Sequence, residues 1–113
     1  MSNITESRLQ SDCFLWHWNT YPLERGRLFM CHNNPRNAID GNRLKAQGMV
    51  AGVSDMIYLR DGLPPLCIEF KLPDGKQQSV QKQWQNIAES TGAKYVIIRS
   101  LEDFIQLIED ANS

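Results

Sequence analysis

Two short apolar runs joined by a turn, followed by an amphipathic helix and a third apolar run, constrain the fold of this chain more than any other feature. Asp55–Arg60 and Leu66–Lys71 have strand length and are separated by Asp61-Gly62-Leu63-Pro64-Pro65, which predicts a hairpin. Ser79 reads as the N-cap of a helix from Val80 toward Thr91. Val80, Trp84, Ile87 and Ala88 share one face of it, and Gly92 ends it. Tyr95-Val96-Ile97-Ile98 is a continuous apolar strand. A hairpin is antiparallel, whereas a helical crossover returns the chain parallel to an earlier strand. The sheet is therefore mixed, with helices covering its faces.

The remaining elements fit around that core. Asn3-Ile4-Thr5-Glu6 has the form of a capping box, and Leu9, Cys13 and Trp16 follow at helical spacing, predicting a first helix to about His17. Arg27–His32 reads as a strand that stops at Asn33-Asn34-Pro35. Residues 36–54 are polar, contain Gly41, Gly48 and Gly52, and read as a loop with room for a helical turn. Ser100 and Asp103 cap a last helix whose apolar stripe is Leu101, Phe104, Ile105 and Ile108. The predicted order is α-β-β-β-α-β-α, an α/β fold. At 113 residues, with no internal repeat, the chain has room for one domain spanning 1–113 and one hydrophobic core.

Composition narrows the function classes. No apolar run approaches the roughly 20 residues of a membrane span, and no charged-then-hydrophobic leader opens the chain, so a cytoplasmic protein is expected. Cys13, Cys31 and Cys67 are an odd count without a CxxC pair, which indicates buried thiols rather than a disulfide framework or a zinc site. A net charge of -1 does not favour a nucleic-acid partner, but the charge is uneven. Arg25, Arg27, Arg36, Arg43 and Lys45 face a single acid, Asp40, while Glu102, Asp103, Glu109 and Asp110 crowd the C-terminal end with no base among them. Local field, not net charge, steers a ligand.

Glu69 and Lys71 lie two apart on a strand and so point to one face, with Ile68 and Phe70 turned the other way into the core. Placing two ionic groups on an otherwise apolar central strand costs several kcal/mol, on the order of the penalty for a buried ion, unless something compensates. A bound cation would do so. Asp55 opens the neighbouring strand after Gly52-Val53-Ser54, where its carboxylate would converge with that of Glu69. Such a site suits Mg2+, or Mn2+, which would polarise a phosphoryl group and acidify a bound water. Lys71 would then stand beside that water or the scissile phosphate.

Gly48-Met-Val-Ala-Gly52-Val-Ser-Asp55, then Ile68-Glu69-Phe70-Lys71-Leu-Pro-Asp-Gly75, then Ser79-Val-Gln81-Lys82-Gln-Trp84 resembles the VRR-NUC branch of the PD-(D/E)XK nucleases, over roughly Glu6 to Asp103. The resemblance implies a restriction-endonuclease-like α/β fold. It implies metal ligation by Asp55, Glu69 and the backbone carbonyl of Phe70, and a lysine, Lys71, that assists the nucleophile. It further implies roles for an acid on the first helix, Glu6, and a glutamine on the helix after the lysine strand, Gln81. One departure is Ser54, where the family usually has proline. Stand-alone bacterial or phage members imply a homodimeric endonuclease acting on branched, Holliday-junction-like DNA.

Plainer readings stand beside these. Glu6 is equally a capping-box acid, Gln81 an ordinary polar residue of a first helical turn, and the five cations either a phosphate-binding patch or solvated loop charges. His17 and His32 lack a second ligand at metal spacing and read as structural or exposed. Trp16 and Trp18 have rings able to stack on bases, whereas Trp84 reads as core. Rival functions are a non-cutting DNA- or protein-binding module of the same fold, and an end-trimming nuclease or nuclease component of a larger complex.

Overall fold

The computed structural model describes residues 4–32 and 35–112. Helix α1 (Glu6–Thr20) begins two residues later than the expected capping box: Thr5 is the N-cap, its hydroxyl accepting the Arg8 N–H at 3.0 Å. Asn3 lies outside the described residues. Glu6 is thus the first helical residue rather than the third. The buried stripe Leu9, Cys13, His17 ends at His17, and the helix continues three residues further to Thr20, its last turn closed by the Tyr21 N–H on the His17 carbonyl.

A 3-10 turn (Pro22–Glu24) leads into β1 (Leu28–Met30), shorter at both ends than expected; Asn33 and Asn34 lie outside the described residues. Where a loop was expected, α2 (Ala38–Ala46) forms under the Asn37 cap, whose side chain accepts the Asp40 N–H at 2.8 Å. Only Asp40 and Gly41 of α2 are buried, so no apolar period announces it.

Strands β2 (Met56–Arg60) and β3 (Leu63–Phe70) form the hairpin, but the expected five-residue connection contracts to Asp61-Gly62, with Gly62 at φ +65°. Leu63, Pro64 and Pro65 join β3. The prolines are tolerated there because β4 (Lys94–Ile98) pairs with β3 only from Leu66 onward, and because a register shift loosens the ladder between Tyr58 and Arg60. Helix α3 (Ser79–Ser90) supplies the crossover, and α4 (Leu101–Ala111) closes the chain, with the Ser100 hydroxyl accepting the Asp103 N–H as expected. The cap of α3 is Gln78, one residue earlier than Ser79.

The sheet order is β1-β2-β3-β4, antiparallel twice and then parallel between β3 and β4, which is the mixed sheet expected. Alternation along β3 sorts its side chains. Leu66, Ile68 and Phe70 join Met56, Tyr58, Ile98, Phe104 and Ile108 in one core with Leu9 and Cys13 of α1. Each fully buried large side chain there contributes about 1.5–3 kcal/mol. Phe104 anchors this layer, against Phe70 at 6.3 Å and edge-on to Trp16 at 6.0 Å.

On the α3 side burial is thinner. Ala88 is buried, but Ile87 is 60% exposed, Val80 sits at the rim, and Trp84 is half-buried on Tyr95 rather than in the core. The stripe read from the sequence therefore covers the sheet only in part. Cys13 and Cys67 are buried thiols and Cys31 a half-buried one; burial pushes Cys13 up to about 12.

Candidate active site

The fold carries Asp55 to the end of β3. Its Oδ2 accepts the Phe70 backbone N–H at 2.7 Å, so a side chain takes over where the antiparallel ladder stops and the carboxylate lies against Glu69-Phe70. Phe70 turns its ring into the core, leaving only its main chain on the site side. Glu69 is 2% exposed and Lys71 5%. The Lys71 ammonium stands 3.7 Å from Glu69 Oε2, a loose pairing that does not saturate the carboxylate.

Gln81, in the first turn of α3, donates from Nε2 to Glu69 Oε2 at 2.8 Å. Its own carbonyl accepts the Gln78 N–H at 2.8 Å, closing half of a capping box. A residue that reads as an unremarkable helix-start polar group thus touches the candidate acid directly. Glu6, at the N-terminus of α1, faces the same cleft. That cleft, about 380 Å³, is walled by Glu6, Asp55, Glu69, Lys71, Gln78 and Gln81. A larger groove of about 520 Å³ between α1 and β1 is lined by Phe14, Leu15, Phe29 and Met30, among others, and by no titratable group, so the chemistry lies elsewhere.

Two features position this cleft. Gly52 has φ +83°, and a Cβ there would come within 2.3 Å of the Val80 carbonyl oxygen; only glycine lets the loop before Asp55 press against the start of α3. Ser54 is fully buried, and its hydroxyl donates to the Met56 carbonyl at 3.1 Å, fastening the entry to β2 without proline. Beyond Lys71, the guanidinium of Arg99 donates from Nη1 to the carbonyls of Leu72, Pro73 and Gly75 at 2.8, 3.3 and 2.8 Å. Arg99 and Tyr95, whose hydroxyl donates to Glu69 Oε1 at 3.3 Å, are site-supporting residues that sequence reading missed. Tyr95 was hidden inside an apolar strand.

The electrostatics follow from burial. Burial pushes Glu69 up to about 7, the charge of Asp55 adds to the rise, and Lys71 and the Tyr95 hydroxyl oppose it. Asp55 is also held above the ordinary carboxylate range, first by burial and then by Glu6, against the Phe70 N–H and Lys71. The site is short of positive charge. Among the described residues no three His, Cys, Asp or Glu side chains form a metal-binding cluster, so the carboxylate donors at hand are those of Asp55 and Glu69, with Glu6 acting on them through its charge.

The five basic residues read as a patch are mostly engaged within the chain. Arg25 donates to the Trp18 carbonyl at 3.1 Å and lies over the Trp18 ring; Arg27 pairs with Asp61 at 3.2 Å. Arg36 and Arg43 both hold Asp40, the latter at 2.7 Å, and keep its carboxyl below the usual range, the Arg36 backbone N–H first. Lys45 is exposed. None of the five lines the cleft. Trp18 also stacks on Phe14, and Trp16 packs on Phe104 and Tyr21. His17 is buried, its Nε2 2.9 Å from Glu24 Oε1, which also accepts the Tyr58 hydroxyl at 2.6 Å; His32 is exposed at the end of β1. The four C-terminal acids are exposed on α4, away from the cleft lining.

A mixed four-stranded sheet flanked by helices, antiparallel through the hairpin and parallel at β4, is a restriction-endonuclease-like α/β fold. A solved structure described as a "VRR_NUC domain protein" has this fold: TM-score 0.78, covering 98% of this chain and 90% of its own, at 18% identity. No protein-family model and no curated protein sequence matches the chain. Among the described residues no helix is long and apolar enough to cross a membrane.

Proposed function

We propose that this chain is a VRR-NUC nuclease that hydrolyses phosphodiester bonds in DNA with a bound Mg2+ or Mn2+. The observation that carries the reading is the burial of Asp55 and Glu69 side by side on one cleft, where burial raises the proton affinity of both and the charge of Asp55 adds to the rise at Glu69, with Lys71 the only cation among the described residues that wall it. The donor set fits a hard divalent ion: carboxylate oxygens, with no thiolate or imidazole among the lining residues. The fold shared with the "VRR_NUC domain protein" supports it.

Asp55, Glu69 and the Phe70 carbonyl would hold the metal, which when bound polarises the phosphoryl group and acidifies a water. Asp55 is oriented for this by the Phe70 N–H, and Glu69 by Gln81 and Tyr95. Lys71 offsets charge that develops on the phosphate as the water attacks. Glu6 keeps the rim acidic and the pocket demanding of a cation.

Branched DNA and a homodimer belong to the same proposal. The resemblance implies both, and two sites related by a two-fold axis match a symmetric junction while enlarging the surface a small chain offers to a duplex. The test is purified protein with four-way junction, flap, linear duplex and single-stranded DNA, in Mg2+, Mn2+ or chelator, beside Asp55→Ala and Lys71→Ala. Metal-dependent cutting lost in both variants supports the reading. Cutting that survives both refutes the site, and no cutting of any substrate favours a binding module. Sedimentation of the free protein reads the oligomeric state.

A further inference from the structure

Glu69 is held from both sides. Gln81 and Lys71 reach Oε2, and the Tyr95 hydroxyl reaches Oε1. Tyr95 arrives there through strand register: in the parallel β3–β4 pair Glu69 stands opposite Ile97, and Tyr95, two residues back on the same face, is its diagonal neighbour. Its ring is braced by Trp84, centroids 6.2 Å apart, and the Gln77 side chain neighbours its hydroxyl, opposing the rise that burial imposes on it. Gln77 in turn donates to Gln85 Oε1 at 2.8 Å, one helical turn beyond Gln81 on α3. Neighbouring polar side chains therefore run Gln85, Gln77, Tyr95, Glu69, Gln81.

We propose that Tyr95, backed by Gln77, is a positioning residue that fixes the plane of the Glu69 carboxylate for metal binding. The proposal rests on reading Glu69 as a metal ligand. Without the hydroxyl, Oε1 loses its restraint and the carboxylate is free to rotate about its last torsion, pivoting on Oε2. Groups that orient a metal's direct ligands commonly change affinity by about 10- to 100-fold when removed, which sets the scale expected here. The chain also explains why a hydroxylated aromatic sits in an otherwise aliphatic strand, Val96-Ile97-Ile98. An aliphatic residue would satisfy the sheet and leave both Oε1 and Gln77 short of a partner.

The test is calorimetric titration of Mn2+ into the full chain without DNA, comparing wild type, Tyr95→Phe, Gln77→Leu, the double variant and Glu69→Ala, with thermal midpoints in chelator alongside. Tyr95→Phe keeps the ring on Trp84 and deletes only the hydroxyl. It should weaken Mn2+ binding about 10-fold. Gln77→Leu should weaken it less, and the double variant should bind no more weakly than Tyr95→Phe alone, since Gln77 acts through Tyr95. An unchanged Mn2+ affinity in Tyr95→Phe, with a lowered midpoint, makes Tyr95 purely structural and overturns the proposal alone. Mn2+ binding that is absent in wild type or survives Glu69→Ala overturns the reading of Glu69 and this proposal with it.

Discussion

Gln81 donates to Glu69 at 2.8 Å while accepting the Gln78 N–H at the same distance, so one amide both caps α3 and orients the buried acid. Both ends are committed, and neither glutamate nor alanine can replace it. Gln81→Ala should lower metal-dependent cutting by about 10- to 100-fold. Gln81→Glu should fare worse, because it sets a third negative group against Glu69. Single-turnover cleavage with saturating metal would measure this, and wild-type rates in Gln81→Glu would contradict it.

Gly52 governs how closely the Asp55 loop approaches α3. Gly52→Ala meets both a left-handed φ and a backbone oxygen 2.3 Å away, so one of the two segments must move. The expected result is a loss of about 1–3 kcal/mol of stability in chemical denaturation, with metal affinity reduced more than folding alone accounts for. Gly48→Ala, at φ +110° but in open space, is the control that carries the strain without the clash.

Glu69 makes stability in chelator depend on pH. Its carboxyl ionises near 7 in the folded chain against 4.5 ordinarily. The native state therefore binds this proton more tightly than the unfolded state does. The contribution is complete below pH 4.5 and is lost as pH rises through 7. Its full size is roughly 3 kcal/mol, from about 1.4 kcal/mol per pH unit. Glu69→Gln should remove this dependence: relative to the variant, wild type loses stability between pH 5 and 8. Urea unfolding at both pH values checks it, and parallel pH profiles would contradict it.

Arg99 holds the Leu72–Gly75 turn, which follows Lys71, by three carbonyls. Arg99→Ala removes these charge-assisted hydrogen bonds, leaving the Leu72 carbonyl with the Gly75 N–H, and should cost about 1–3 kcal/mol. Arg99→Lys keeps the charge but not the planar fork and should recover only part. Amide hydrogen exchange of the turn would show faster exchange at the Gly75 N–H, which bonds the Leu72 carbonyl.

In the proposed mechanism Lys71 supplies positive charge at the reacting phosphate. Lys71→Ala should reduce the cleavage rate by about 100- to 1,000-fold, the range for losing one preorganised electrostatic partner. Metal binding to the free protein should persist, since Asp55 and Glu69 remain. Loss of Mn2+ binding in Lys71→Ala would move its role from chemistry to holding the site together.

Elements with a strong apolar period were readable in the chain. The hairpin, β4 and α4 announce themselves by alternation, Gly or Ser punctuation and a buried stripe, and Asp55, Glu69 and Lys71 follow from strand alternation in motif order. Helix α2 was not readable, because it buries only Asp40 and Gly41 and is held by its Asn37 cap and the arginines on Asp40. The partners of the basic residues were not readable for a related reason: linear charge spacing says nothing of Asp61, Asp40 and Trp18, which engage the arginines.

Local chemistry, then, was enough for the strand faces, the helix stripes and three ionic residues placed where a core should be. Such features depend on backbone geometry repeating every two or 3.6 residues, which the chain carries in its own order. Which groups surround Glu69 was decided by parallel register and by the crossover that sets α3 beside it. Those contacts join residues 12 and 26 positions apart, and no local period encodes them.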